Sequence, residues 1–251
     1  MRLEGKIALV TGGGSGFGEG IARRFAQEGA QVLINDVDTK GGERVASEIN
    51  ASGGECRFVK ADVSVGADFE ASVQAAVEHF GGLDIVVNNA GVSHRNQSML
   101  TVDEAEFDRV FAINVKSVYW CAQHVVPLLK QRGGGSIINI ASTAGVRPRP
   151  GLVWYNASKG AMITLTKSMA IELAPDNIRV NAVNPVAGDT PLLATFMGED
   201  TPEVRAKFVA SVPLGRLSQP ADIATATLFY ATDEASFVTG TCLEVDGGRC
   251  I

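Results

Sequence analysis

Residues 7–18 read Ile-Ala-Leu-Val-Thr-Gly-Gly-Gly-Ser-Gly-Phe-Gly, and a helical pattern follows in which Ile21, Phe25 and Ala26 share a face. A short buried strand that breaks into glycines and reopens as a helix has few folds open to it. The glycines let the backbone turn tightly and come close to a pyrophosphate, and the helix N-terminus offers free N–H groups and a positive dipole end. The spacing is G-x-x-x-G-x-G rather than the commoner G-x-G-x-x-G. A bare glycine turn is the alternative, but the position between a first strand and a helix favours a phosphate cradle. Its candidate cofactor-binding residues are Gly12, Ser15, Gly16, Phe17 and Gly18.

Six further apolar or β-branched runs recur along the chain: Val32–Asn35, Arg57–Val59, Asp84–Val87, Ser136–Ala141, Ile178–Val183 and Cys242–Val245. Amphipathic stretches separate them. This β-α alternation predicts an α/β fold, a parallel sheet covered by helices on both sides. No linker, repeat or composition shift divides the 251 residues, which predicts one domain over 1–251. Thr101-x-x-Glu104 has the form of a capping box opening a long helix towards Leu129. Thr201-Pro202-Glu203 reads as an N-cap with a first-turn proline, inside a substrate-covering lid over 189–213.

Charge and cysteine usage narrow the function. The net charge is −6, and no basic run suggests nucleic acid or a membrane surface. No apolar run reaches membrane-spanning length, and Met1-Arg-Leu-Glu-Gly-Lys leads straight into the first strand without a signal peptide. Four cysteines and three histidines fall in no ligand spacing, so no metal is expected and reduced thiols in a cytoplasm are the simplest reading.

The strand ends carry the next candidates. Asp36 lies eighteen residues beyond Gly18, where an acid accepts from both adenine-ribose hydroxyls and repels a 2′-phosphate. Val37 follows it, and no cation is in place for that phosphate, so NAD is favoured over NADP. A helix-capping Asp is the alternative. Asp62-Val63 ends the third strand, where Asp62 can accept from the adenine amino group, cap the next helix, or do both. The fourth strand runs into Asn88-Asn89-Ala90-Gly91, whose asparagines can tie strands together and whose small residues leave room for a ribose.

Tyr155 and Lys159 are four apart, one helical turn on one face. A phenol titrates near ~10, and a fixed ammonium beside it would pull that value down. The pair can then exchange a proton with an alcohol oxygen. Ser142, ending an apolar run thirteen residues earlier, can hold that oxygen. Asn114 sits inside a predicted helix, where asparagine is unfavoured. It reads either as the holder of a water between itself and Lys159 or as a satisfied structural amide.

Together Thr11-Gly-x-x-x-Gly16-x-Gly18, Asp62, Asn88-Asn-Ala-Gly91, Asn114, Ser142, Tyr155-x-x-x-Lys159, Asn184-Pro185, Thr190 and Asp246-Gly-Gly248 resemble the classical short-chain dehydrogenase/reductase family over the whole chain. The resemblance implies a single-domain Rossmann fold with a doubly wound, seven-stranded sheet, a nicotinamide cofactor and a homotetramer. It implies Asn114, Ser142, Tyr155 and Lys159 as the catalytic set, with Tyr155 as acid/base. Lys159 would also hold the nicotinamide ribose. Asp36, Asp62, Val63, Asn89, Ala90, Gly91 and Pro185 join the glycine loop in binding the dinucleotide. Thr190 and the backbone near Gly188 would bind the carboxamide. The family's Pro-Gly is here Pro185-Val186-Ala187-Gly188, which displaces the glycine by two and leaves the backbone donor open.

The expected reaction is hydride transfer between NAD(H) and a small alcohol or its ketone or aldehyde. A 3-oxoacyl-thioester reductase using NADPH is the first rival, and a non-catalytic dinucleotide-binding regulator the second. His94, Arg95, Arg147 and Trp154 are substrate candidates. Cationic loops near the pocket would favour a carboxylated or sulfonated substrate, and Trp154 an aromatic wall; solvated arginines and an interface tryptophan are the alternative. These loops look similar to those of dehydrogenases that oxidise sulfonated benzyl alcohols. Arg249 in the tail is expected near a subunit interface.

Overall fold

Strand β1 (Ile7–Thr11) alternates between two cores. Ala8 and Val10 point to one face, Ile7 and Leu9 to the other, and all four are buried. A strand buried on both faces needs helices above and below, and the computed structural model, which describes residues 1–198 and 201–251, shows them. One face is covered by α1 (Gly16–Gln27), α2 (Thr39–Ala51) and α9 (Pro220–Ala231), through Ile21, Phe25, Val45, Ile49, Ile223 and Leu228. The other is covered by α3 (Gly66–Phe80), α5 (Ser117–Gln131) and α6 (Val153–Leu173), through Phe69, Val73, Val125, Leu129 and Leu173.

The remaining strands are β2 (Gln31–Asp36), β3 (Glu55–Lys60), β4 (Ile85–Asn88), β5 (Gly135–Ile140), β6 (Ile178–Pro185) and β7 (Cys242–Val245). All seven pair in parallel in the order β3-β2-β1-β4-β5-β6-β7. The order reverses between β1 and β4, and the crevice at their C-terminal ends is where such sheets bind ligands. Every expected strand is present, with ends moved by two residues at most.

Buried polar ties set the register here. Asn88 Nδ2 donates to Asn139 Oδ1 at 2.9 Å, and Asn139 Nδ2 donates to Thr166 Oγ1 at 2.8 Å, linking β4, β5 and α6. Asn89 Nδ2 donates to the Thr11 and Gly12 carbonyls, while Thr11 Oγ1 accepts from the backbone N–H groups of Asn89 and Ala90. The strand-tying role expected of the asparagine pair is the one observed.

Two helix starts show what decides a cap. The helix expected to open at Thr101 begins at Glu104 as α4 (Glu104–Phe111), capped by Asp103, whose Oδ1 accepts from the Glu106 N–H at 2.8 Å. Thr101 instead closes a 3₁₀ turn over Met99–Thr101. Asp103 outcompetes it because its carboxylate reaches the free N–H groups of the first turn. α4 continues into α5 through one π turn, Ala112–Lys116. The segment expected to form a lid holds α7 (Leu193–Met197) and α8 (Pro202–Ala210), with Thr201 capping α8 as its sequence suggests. Glu199 and Asp200, within the expected lid, lie outside the described residues. Among the described residues no helix is long and apolar enough to cross a membrane, and no cluster of three or more His, Cys, Asp or Glu could hold a metal ion.

Candidate active site

The crevice beyond β1 and β4 opens into a cavity of about 590 Å³ that runs from the glycine loop to α7 and α8. At one end are Gly12, Ser15, Gly16 and Phe17, with Asp36, Asp62, Val63, Asn89, Ala90 and Gly91 beside them. Gly12 has φ +64°, and a Cβ there would sit 2.9 Å from Ala90 Cα; Gly16 has φ +56° and faces Thr190. Ser15 caps α1 without a side-chain hydrogen bond to the first turn, so the N–H groups of that turn stay free for an anion. Gly18 does not line the cavity. It lets α1 pack on the loop, since a Cβ would fall 2.0 Å from the Gly12 carbonyl oxygen.

Asp36 ends β2 with its carboxylate held by the backbone N–H groups of Gly14 (2.8 Å) and Asp38 (2.9 Å). Asp62 caps locally, Oδ1 accepting from the N–H and hydroxyl of Ser64, and it also lines the cavity, so neither reading of it excludes the other. A narrow glycine cradle, free helix-terminal N–H groups and a fixed acid at the second strand end are a donor and acceptor set that fits a dinucleotide.

At the middle of the cavity stand Ser142, Tyr155 and Lys159. Ser142 follows β5 and caps a 3₁₀ turn over Thr143–Gly145, its Oγ accepting from the Ala144 N–H at 3.0 Å. Tyr155 lies in the first turn of α6 and is almost wholly buried. Burial pushes its phenol up to about 12, opposed by a hydrogen bond with Ser142 and by the charge of Arg149. Burial also pushes the Lys159 ammonium down, to about 8. Lys159 Nζ donates to the Ile140 carbonyl at 2.8 Å and stands 6.0 Å from the Tyr155 ring centroid. In the free protein burial outweighs the acidification expected for Tyr155, and the groups that oppose burial are Ser142 and Arg149.

Asn114 sits in the π turn and is fully buried. Its Oδ1 accepts from the Val92 N–H, and its Nδ2 donates to the Val92 carbonyl and to Ser158 Oγ, each at 2.9 Å. It is thus a satisfied amide and lies behind the cavity wall. Both Asn114 Oδ1 and Lys159 Nζ face Gly91, since a Cβ there would sit 3.3 Å from each, and the amide oxygen has a second lone pair to offer on that side. A π turn places an amide where a regular helix would not, a feature common at functional sites.

Beyond β6 the chain passes Pro185, Val186, Ala187, Gly188 and Thr190, all lining the cavity. Gly188 is braced by Ser218: the Ser218 N–H donates to the Ala187 carbonyl, and the Asp189 N–H to that of Ser218. A Cβ at Gly188 would strike the Phe17 ring at 2.3 Å. The displaced glycine is therefore needed where it stands, against the glycine loop.

The substrate side corrects the sequence reading. Among the described residues none of His94, Arg95, Arg147 or Trp154 lines the cavity. His94 is fully buried behind it, Nδ1 2.8 Å from the Arg95 carbonyl, and Arg95 is exposed. Arg147 Nη1 donates to the Arg249 carbonyl at 2.6 Å, which places Arg249 against its own chain's loop. Trp154 packs edge-on to Phe107 at 5.3 Å, since adjacent residues on a helix face different ways. The side chains found instead are Arg109, Arg149, Leu152, Leu192, Phe196 and Phe208. Arg109 is paired with Glu106 (2.8 Å). The Arg149 guanidinium stacks on Phe208, 4.4 Å from its centroid, and Phe196 lies 5.0 Å from the Tyr155 ring. No periodicity in Arg147-Pro-Arg149 marks which arginine turns inward; Phe196 and Phe208 carry the weak signal of aromatics in a lid.

Comparison with known proteins agrees with this geometry. A family model described as enoyl-(acyl carrier protein) reductase matches residues 12–249. The chain is 55% identical to 4-formylbenzenesulfonate dehydrogenase of Comamonas testosteroni, over 100% of both chains. It is 38% identical to a 2,5-dichloro-2,5-cyclohexadiene-1,4-diol dehydrogenase of Sphingobium indicum, over 98% of this chain and 97% of that one. Among solved structures it is similar to a 3-ketoacyl-(acyl-carrier-protein) reductase from Brucella melitensis complexed with NADH, with TM-score 0.93, 51% identity and coverage of 99% and 100%. Levodione reductase superposes with TM-score 0.95 at 33% identity, covering 99% of each chain. With fold, glycine cradle and the Ser142–Tyr155–Lys159 arrangement all in agreement, the chain belongs to the classical short-chain dehydrogenase/reductase family and is an oxidoreductase.

Proposed function

We propose that the protein transfers a hydride between NAD(H) and a small alcohol or its aldehyde or ketone, with Tyr155 carrying the proton. The observation that carries this is the Ser142–Tyr155 hydroxyl pair, facing a cavity continuous with the glycine cradle. When bound, the nicotinamide supplies the hydride chemistry; the chain supplies binding, orientation and the proton.

The free N–H groups around Ser15, Gly16 and Phe17 take the pyrophosphate, and Asp36 accepts from the adenine ribose. A carboxylate fixed by two backbone N–H groups repels a 2′-phosphate, which supports NAD over NADP. Asp62, Val63, Asn89, Ala90, Gly91 and Pro185 line the rest of the dinucleotide path, and Thr190 with the backbone at Gly188 takes the carboxamide. Ser142 holds the substrate oxygen, and Tyr155 removes its proton during oxidation or returns it during reduction. Lys159 holds the ribose hydroxyls and, through a water shared with Asn114, links Tyr155 to solvent. The 4-formylbenzenesulfonate dehydrogenase relative supports an aryl aldehyde or alcohol bearing an acid group as the substrate class.

A second reading, a 3-oxoacyl-thioester reductase, is favoured by the similarity to the 3-ketoacyl-(acyl-carrier-protein) reductase from Brucella melitensis. Initial rates decide between them. Aryl alcohols with NAD should turn over faster than acetoacetyl thioesters with NADPH, and the reverse order would overturn the proposal. On family grounds we expect a cytoplasmic homotetramer, which light scattering would test.

A further inference from the structure

Among the described residues two cations that line the cavity have no counter-ion, Lys159 and Arg149; Lys159 is held by the Ile140 carbonyl, whereas Arg149 is held by no polar group. It is partly desolvated, and among the described residues its guanidinium has no hydrogen bond and no ion pair. Its one side-chain contact of note is the face of Phe208. A stack of that kind uses the plane of the guanidinium and leaves its five N–H donors, which lie in that plane, unused. A second arginine is near: the charge of Arg249 acts on Arg149, and Arg249 Nε is buried without a partner. A partly desolvated charge with a like charge nearby is costly to keep. An oxyanion beside Arg149 would remove that cost through charge-assisted bonds. The other cations nearby are already engaged, Arg109 by Glu106 and Arg147 by the Arg249 carbonyl.

The surroundings set what carries the oxyanion. Leu152, Leu192 and Phe196 form apolar walls beside Tyr155, with Phe196 tilted 53° against the tyrosine ring. Resting on the hydride-transfer reading above, we propose that Arg149 selects the substrate: it binds a carboxylate or sulfonate at the far end of an aryl alcohol or aldehyde whose reacting carbon faces Tyr155. Arg149 is then the specificity determinant, and Arg147 only fastens the tail.

The test compares 4-(hydroxymethyl)benzoate, 4-(hydroxymethyl)benzenesulfonate and neutral 4-methylbenzyl alcohol, each with NAD, in the wild type and in Arg149→Met, Arg149→Lys and Arg147→Ala. For Arg149→Met the ratio of kcat/KM for acid over neutral alcohol should fall at least twentyfold, chiefly through KM. Arg149→Lys should recover part of that ratio, and Arg147→Ala should change it less than threefold. Whichever acid loses more names the preferred oxyanion. Calorimetry of benzoate and benzenesulfonate against the enzyme–NADH complex gives a readout without turnover, and Arg149→Met should weaken binding at least tenfold. An unchanged ratio in Arg149→Met, or an equal loss in Arg147→Ala, overturns the proposal and leaves the hydride-transfer reading intact. If the wild type binds NADH but oxidises none of the three alcohols, that earlier reading fails, and the calorimetric arm alone decides whether Arg149 binds an anion. NADH titration of each variant shows that it is folded.

Discussion

The Asn114 amide donates to the Ser158 hydroxyl at 2.9 Å, and that hydroxyl donates in turn to the backbone carbonyl of Tyr155 at 2.8 Å. The π turn is thereby wired to the first turn of α6, and Asn114 positions the tyrosine as well as facing Lys159. Asn114→Ala leaves the Val92 N–H and carbonyl and the Ser158 hydroxyl without their partner. Buried polar groups left so cost about 1–3 kcal/mol. Denaturant unfolding should show a loss of that order, and kcat should fall more than NADH affinity does.

Tyr155→Phe removes one oxygen from a buried ring and leaves the packing against Phe196 in place. Loss of a positioned general acid/base lowers turnover by about 10²–10⁴-fold. NADH binding, followed by fluorescence titration, should stay within a few-fold of the wild type. A variant that keeps most of its activity would show that another group carries the proton.

Asp36→Asn keeps the shape of the side chain and removes its charge. The ratio of kcat/KM for NADP over NAD should rise at least tenfold, because repulsion of a 2′-phosphate is lost. The Gly14 and Asp38 N–H groups bond different carboxylate oxygens, so one of them keeps an acceptor and the other meets the new amide NH2. Steady-state rates with both cofactors check this. A wild type that already prefers NADPH would refute the cofactor assignment.

Gly18→Ala places a methyl group on the Gly12 carbonyl, and both neighbours are backbone or fixed by it. Overpacking of this kind costs about 1–3 kcal/mol. Thermal unfolding should fall accordingly, and NADH affinity should drop with it, since the helix and loop that it separates form the cradle.

The buried pair predicts a pH signature for the free protein. Folding lowers Lys159 to about 8 from a value near 10.5. Between those values Lys159 binds more protons in the unfolded chain, so its own contribution to stability rises with pH. The thiols of Cys56 and Cys121, pushed up by burial to about 12, contribute in the opposite direction above pH 9. Folding raises Tyr155 from 10 to about 12, so above pH 10 the folded state holds the extra proton and stability falls. Relative to the wild type, Lys159→Met should gain most at pH 8 and below and lose that advantage by pH 10, and Tyr155→Phe should soften the fall above pH 10. Denaturation midpoints across pH 7–11 measure both.

How much of this was legible in the sequence follows from what each signal depends on. Strands such as Ile7–Thr11 were readable because a strand buried on both faces is a run of largely apolar residues, whatever surrounds it. The glycine cradle was readable because close backbone approach demands glycine itself. Asn114 was visible as an anomaly, but its partners were not, since the π turn that aims it at Val92 and Ser158 has no pattern of its own. The choice of Arg149 over Arg147 was illegible for a similar reason. Two residues apart in an aperiodic loop, they are separated only by tertiary packing against Phe208 and the tail.

The amide–amide–hydroxyl ladder from Asn88 through Asn139 to Thr166 has a bearing on motion. It runs across the strands and bolts the helix bearing Tyr155 to the middle of the sheet, so the reacting groups cannot drift relative to the floor on which a ligand would rest. Traffic in and out of the cleft must then be borne by the segments on the other side, α7 and α8. Hydrogen exchange should divide the molecule along that seam, slow beneath and fast above.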